Sequence, residues 1–200
     1  MCGRYALHAN PAVIALQFGL ADIPDFKASY NICPGTDVLI IGMDGTAHRC
    51  RWGSRPANAR GETVVEKPAF RDAFRRWRCL VPASGFYEWQ AVAGKKHPWY
   101  VRPKDAGLFG LAGIIALRDG LRAVSLITTE PNDLMRPIHE RMPVIIQPGD
   151  YADWLDGKNR ELPALKEFLR PYPAERMEAY PVSLRVNTPA NDDPALIAAI

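Results

Sequence analysis

Cys2 stands directly behind the initiating methionine, in the opening run Met1-Cys2-Gly3-Arg4-Tyr5. A methionine followed by a small side chain is normally trimmed. Trimming leaves Cys2 with a free α-amine and a thiol on adjacent carbons, a 1,2-aminothiol. An aldehyde carbon can take the amine first and the sulfur second, closing a five-membered thiazolidine ring. The α-amine titrates near ~7.7–8.0 and a free thiol near ~8.5, so both are expected to be partly reactive at neutral pH without tuning. An internal cysteine cannot do this. The competing reading is an incidental residue at a frayed terminus.

Other polar residues sit where a structural strand does not require them. Glu88 lies between Tyr87 and Trp89 in an apolar strand pattern. Burial among aromatics would raise its carboxyl pKa and suit it to proton transfer near neutrality; on a solvent face it is an ordinary strand glutamate. His139, at the end of a proline-containing turn and followed by Glu140 and Arg141, offers a proton or a phosphate contact, or is a plain surface histidine. Asn58 and Arg60, in the polar stretch from Pro56 to Thr63, offer amide and guanidinium donors, against ordinary turn chemistry. Thr128 and Thr129 end a strand shortly before His139, where β propensity alone also suits them.

The elements that must position these groups are short. Pro11–Phe18 reads as a helix with Asn10 as its N-cap, and Pro68–Trp77 as an amphipathic helix burying Phe70 and Phe74. Val38–Met43 and Ala47–Trp52 form a hairpin around Asp44-Gly45. Strands are expected at Cys79–Pro82, Gly85–Gln90 and Trp99–Arg102, with turns at Ala83-Ser84 and Ala93-Gly94. Leu108–Leu117 and Ala123–Thr129 are joined at Asp119-Gly120. Ser54–Gly61 reads as a loop, and Thr63–Val65 as a short strand or the lead into a helix. Asn132–Ile138 is a turn or short helix, and Pro143–Ile146 a strand. Asp150–Leu155 and Pro163–Leu169 are short helices; Met177–Pro181 and Leu184–Val186 are extended. Many short strands with peripheral helices imply an α+β fold, predominantly antiparallel, with a barrel-like core.

The 200 residues fit one domain, 1–200, and at 48% hydrophobic they support a sizeable core. The net charge of +3 is unevenly placed: nine Lys and Arg residues crowd Arg49 to Arg78, opposed there by Glu62, Glu66 and Asp72. Such a surface suits a polyanion, or is simply solvated. Cys2, Cys33, Cys50 and Cys79 lack CxxC spacing, so no metal site is expected, and no cofactor. The last three are expected to be merely packed. The start of the chain has no secretory pattern, and the longest apolar run, Leu108–Leu117, is too short for a bilayer. A cytoplasmic protein with free thiols, off the membrane and monomeric, is the expectation.

Taken together, the motifs resemble the SOS-response-associated peptidase family of abasic-site processing proteins. The matching text runs from Met1-Cys2-Gly3-Arg4-Tyr5 through Tyr30–Thr36, Arg51-Trp52-Gly53 and Asn58–Thr63. It continues through Glu66–Phe74, Arg78–Trp89, Ile127–Glu130, Ile138–Pro143 and on to Val186-Asn187. The resemblance implies an α+β fold with an antiparallel barrel-like core, and a protein that binds single-stranded DNA and cross-links to abasic sites. It implies Cys2 as nucleophile, Asn58 as orienting amide, Glu88 as acid/base and His139 as a second proton-transfer group. It places Arg4, Arg60 and Thr128 at the DNA near the lesion, and Arg71 joins them as a DNA contact. Relatives usually carry a longer, tryptophan-containing segment before Asn58. Here Gly53 reaches Asn58 through Ser54-Arg55-Pro56-Ala57, so the resemblance does not extend to the DNA path there.

The chemistry coheres. Arginines would hold phosphates beside the lesion, and Cys2 would meet the sugar aldehyde at high effective concentration. Sealing the aldehyde removes the acidity that drives strand scission, and the same acid/base groups could reopen the ring. Two rivals stand beside this reading: an N-terminal-nucleophile peptidase or amidohydrolase using Cys2, with release of Met1 by self-processing, and a single-strand binder for which Cys2 is dispensable.

Overall fold

The structure is a computed structural model describing residues 2–53, 56–105, 107–118 and 121–200. Its strands are β1 (Tyr5–Leu7), β2 (Ser29–Ile32), β3 (Asp37–Gly42), β4 (Ala47–Trp52), β5 (Asn58–Arg60), β6 (Arg78–Ala83) and β7 (Gly85–Val92). They continue with β8 (Lys95–Pro103), β9 (Phe109–Arg118), β10 (Leu121–Thr129), β11 (Met142–Pro143), β12 (Ile145–Ile146) and β13 (Met177–Pro181). The helices are α1 (Pro11–Phe18), α2 (Pro68–Arg76), α3 (Tyr151–Leu155) and α4 (Leu162–Lys166).

Two sheets carry the fold. One is open and antiparallel, in the order β13-β8-β7-β1-β2. The other runs β10-β4-β3-β6-β9 and closes on itself, because β9 also pairs with β10 from Leu121↔Arg118 to Leu126↔Gly113. Closure removes the two exposed edges that an open sheet would leave. Residues of both sheets share one apolar core, in which Tyr5 and Leu7 of β1 meet Trp52, Val81, Leu111 and Val124 of the ring. A second core lies beneath α2, α3 and α4, where Phe70, Phe74, Trp154 and Leu165 cover Leu80, Ala112 and Ile114. The α+β, barrel-like expectation holds.

The chain crosses from the ring to the open sheet at Ser84. The Ser84 N–H donates to Ala6 O at 2.7 Å, and the Ser84 hydroxyl accepts the His8 N–H at 3.1 Å. The next residue must be glycine: a Cβ at Gly85 would stand 2.4 Å from the Tyr100 ring and 2.6 Å from Val101 O. This crossing drives β7 edge-on into β1 and so delivers Glu88 to the N-terminus of the chain. The predicted turn at Ala83-Ser84 is therefore a passage between sheets and not a hairpin.

α1 and β4 have the predicted limits, with the Asn10 side chain accepting the Ala12 N–H at 2.8 Å. Two expectations are corrected, the loop at Ser54–Gly61 and the extended segment at Leu184–Val186. The predicted loop Ser54–Gly61 contains β5, which pairs in parallel with β10 across Leu126↔Asn58 to Thr128↔Arg60; its hydrogen bonds come from a strand far along the chain, which no local signal announces. Of the two readings of Thr63–Val65, the lead into a helix holds: it is a turn just before α2, with Val64 packed into the second core. Leu184–Asn187 is a short 3-10 turn capped by the Ser183 hydroxyl, not an extended segment. The predicted turn residues Asp119 and Gly120 lie outside the described residues, as do Ser54 and Arg55 of the shortened loop. Among the described residues no helix is long and apolar enough to cross a membrane.

Candidate active site

Cys2 is fully buried, packed with Tyr5 in the first core, which excludes the frayed-terminus reading for this residue. Its carbonyl accepts the Asn58 Nδ2–H at 2.9 Å. Asn58 is placed by β5, so the parallel pairing on β10 is what brings this amide to the start of the chain. The Asn58 Oδ1 atom is buried with no hydrogen-bond partner among the described residues. Burial, then the nearby Glu88 charge, hold the Cys2 thiol well above the usual cysteine range. The expectation of a thiol reactive without tuning is therefore corrected: at neutral pH the sulfur keeps its proton until a base removes it.

Glu88 is the last fully buried residue of β7 before the strand emerges at Trp89 and Gln90. Burial raises its carboxyl to about 7, so both protonation states are populated at neutral pH. His139 Nε2 lies 3.8 Å from Glu88 Oε2. The shorter contact of the other ring nitrogen, Nδ1, is with the Arg141 N–H at 3.0 Å; Arg141 O stands at 3.2 Å. Both contacts tie Nδ1 to Arg141 and leave Nε2 on the Glu88 side. Burial also keeps the His139 pKa below its ordinary value, so the ring is neutral at pH 7. Glu88, Lys96, Ile138, His139 and Glu140 line an open cleft of about 480 Å³, the approach from solvent to the buried cluster.

Arg141 holds this arrangement, and sequence reasoning assigned it no role. It makes a bidentate ion pair with Glu62, at 2.6 and 2.9 Å. Its Nη2 also donates to Thr128 O at 2.7 Å and to the Thr128 hydroxyl at 3.1 Å. No spacing rule links residues 62, 128 and 141; only the register of β5, β10 and β11 does. Thr128, expected as a DNA contact, is buried, and its hydroxyl accepts from Arg141.

The expected DNA contacts otherwise divide. Arg60 is exposed, two residues beyond Asn58 in β5 and so on the same side of the strand. Arg71 is exposed on α2. Arg4 is partly committed inward: its Nη1 donates to Asn31 Oδ1 at 2.6 Å and to Val186 O at 2.7 Å, and its guanidinium lies 5.9 Å from the Trp89 ring centre. Asn31 in turn donates to Thr188 O and Asn191 O, tying the C-terminal segment to β2. Arg78 leaves the basic surface altogether, being fully buried.

The chain has known relatives along its length. Residues 1–189 match the family described as SOS response associated peptidase (SRAP). The chain is 38% identical to the abasic site processing protein YoqW of Bacillus subtilis, over 98% of this chain and 99% of that one. It is 25% identical to the abasic site processing protein YedK of Escherichia coli over the full length of both. Among solved structures, a Bacteroides thetaiotaomicron protein superposes with a TM-score of 0.88 at 25% identity, covering both chains completely. A match of this extent, carried by a chain whose first residues lie at the heart of its own core, establishes that the protein belongs to the SRAP family.

Proposed function

We propose that this protein processes abasic sites in single-stranded DNA by trapping the sugar aldehyde on Cys2 as a thiazolidine. The relatives named above are abasic site processing proteins. The observation that carries the proposal is a run of interactions among four separate segments: Asn58 holds the Cys2 carbonyl, the Glu88 charge acts on the Cys2 thiol, and His139 stands 3.8 Å from Glu88, with which it lines the cleft.

Removal of Met1 exposes the α-amine of Cys2. The amine adds to the aldehyde carbon of the opened deoxyribose, and loss of water leaves an imine. The thiol then adds across the C=N bond: the S–C bond forms, the thiol proton leaves, and the nitrogen gains a proton. The balance is aminothiol plus aldehyde giving thiazolidine plus water. A buried thiol needs a base for this step, and in this reading the base is the Glu88 carboxylate, whose charge acts on that thiol. His139, with Nε2 toward Glu88, transfers protons at oxygen as the sugar opens and water departs. Asn58 fixes the Cys2 carbonyl, and with it the direction of the amine. Exposed Arg60 and Arg71 supply phosphate contacts.

The hydrolase reading has less support. The Asn58 amide engages the carbonyl of Cys2, on the far side of this residue from the Met1–Cys2 bond, and so does not serve that bond as an oxyanion donor.

Intact-mass measurement after incubation with an abasic oligonucleotide tests the proposal. The expected product is protein without Met1 plus oligonucleotide less one water, absent with an intact strand and absent in Cys2→Ala. An unchanged protein mass, or the same adduct in Cys2→Ala, rejects it.

A further inference from the structure

A second concave region lies apart from the Glu88–His139 cleft and shares no lining residue with it. It has a volume of about 400 Å³ and is lined by Arg49, Arg51, Arg76, Trp77, Ile115 and Arg122, among others. A smaller hollow of about 280 Å³ adjoins it and shares Trp77, Ile115 and Arg122. Trp77 thus stands between two depressions, with 51% of its surface exposed. Leu117, which lines the smaller hollow, is 72% exposed.

Three features make this more than a stray aromatic. The first is rigidity. The Trp77 N–H donates to Ala73 O at 2.8 Å, ending α2, and Trp77 O accepts the Ile115 N–H at 2.8 Å. Both backbone groups are fixed, so the ring is presented by an ordered frame. The second is charge. Arg49, Arg51, Arg76 and Arg122 all stand around the hollow. The one carboxylate in the lining, Asp44, is bound to His48 at 2.8 Å. Asp37, at the margin, is divided between Arg49 at 3.4 Å and Arg51 at 3.8 Å. The third is the combination. The Arg122 guanidinium lies 5.5 Å from the Trp77 ring centre, so an aromatic platform and cations stand within one nucleotide's dimensions. A flat apolar ring flanked by guanidinium groups is what a base with its phosphates requires. Duplex DNA, whose bases are stacked on each other, cannot use the ring.

We propose that the Trp77 hollow is a second single-stranded DNA site, in which a base stacks on Trp77 while Arg49, Arg51 and Arg122 hold the neighbouring phosphates. It takes DNA over RNA only because the cross-linking reading above does; its geometry stands independently. Both sites lie on β10: Arg122 is near its start, and Leu126 to Thr128 pair with β5 at its end. Six residues of strand separate Arg122 from Thr128, roughly 20 Å at ~3.3 Å per residue. A strand engaged at Cys2 therefore has a second hold on the same element. In this chain Trp77 supplies a stacking aromatic outside the shortened segment before Asn58.

The test uses lesion-free oligothymidylate and fluorescence anisotropy across a salt series, with the full-length protein and three variants. Trp77→Ala is expected to weaken binding by about tenfold, and Trp77→Phe to keep most of the affinity. Arg51→Gln combined with Arg122→Gln is expected to flatten the salt dependence by about 0.7 in log–log slope for each phosphate no longer neutralised. Thiazolidine yield with a saturating abasic strand is expected to stay at the wild-type level in Trp77→Ala, so failure of this site and failure of the cross-link are read separately. Unchanged affinity in Trp77→Ala with an unchanged slope in the arginine pair overturns the site. An equal weakening by Trp77→Ala on duplex DNA of the same length also overturns it, because charge alone would then explain the patch.

Discussion

Arg78 and Glu88 are both buried charged residues, one on β6 and the other on β7, yet the fold treats them in opposite ways. Arg78 donates to five backbone carbonyls: Trp154, Phe74, Arg75, Asp156 and Asn159, at 2.7 to 3.1 Å. Its five N–H groups are matched by five acceptors. Burial lowers its pKa only to about 10, so the charge survives at any physiological pH. Glu88 faces a neutral histidine 3.8 Å away and a thiol, and titrates at about 7. A charge that is fully solvated by backbone is an anchor, locking α2 to the segment after α3. A charge left balanced between two protonation states can exchange a proton with whatever enters. Around Glu88 the fold keeps polar capacity in reserve: the buried Asn58 Oδ1, Arg4 Nε and Arg141 Nε have no hydrogen-bond partner among the described residues.

The contrast is open to direct attack. Arg78→Met should strike hardest, costing ~3–5 kcal/mol because it leaves buried carbonyls without donors. Urea denaturation measures this, and a change under about 1 kcal/mol would remove Arg78 as an anchor. Glu88→Gln should instead slow single-turnover adduct formation by ~10²- to 10³-fold while leaving the fold intact. In the parent protein that rate should rise with pH through about 7, where Glu88 ionises. A profile with no inflection near that pH would take the base role away from Glu88.

The same substitution sharpens the comparison through stability. Glu88 holds its proton more tightly in the folded chain, at about 7, than in the unfolded one, at ~4.3. Folding stability from this group is therefore fully present below the unfolded value, falls as pH rises between the two, and stays low above the folded value. Glu88→Gln should accordingly raise stability at pH 8 by on the order of 1–3 kcal/mol and change it little at pH 4. Equal effects at both pH values would mean the carboxyl titrates normally. The smallest effect is expected at Asn58→Ala, about tenfold in rate with thermal stability nearly unchanged. Wild-type kinetics there would show that the Cys2 carbonyl needs no hold.

What the sequence yields follows the range of the forces involved. Helix α1 with its Asn10 cap, and the β3–β4 hairpin around Gly45, are set by residues a few positions apart, and they were legible. Cys2, Glu88, Asn58 and His139 were legible as chemistry and through the family's wording. Their meeting was not, since it depends on β5 docking in parallel on a strand more than sixty residues downstream. The same distance hid the Glu62–Arg141–Thr128 cluster, in which one guanidinium joins three segments. Arg78 read as one more surface cation because nothing local reports the five carbonyls that gather on it.

The Arg4 guanidinium reaches Val186, 182 positions away, and the amide of Asn31 clasps Thr188 and Asn191. Residues 4 and 31 are thus fastened to the segment 186–191. Loss of residues 186–191 would leave the Arg4 guanidinium and the Asn31 amide without these acceptors, and so loosen β1 and β2 at the start of the open sheet.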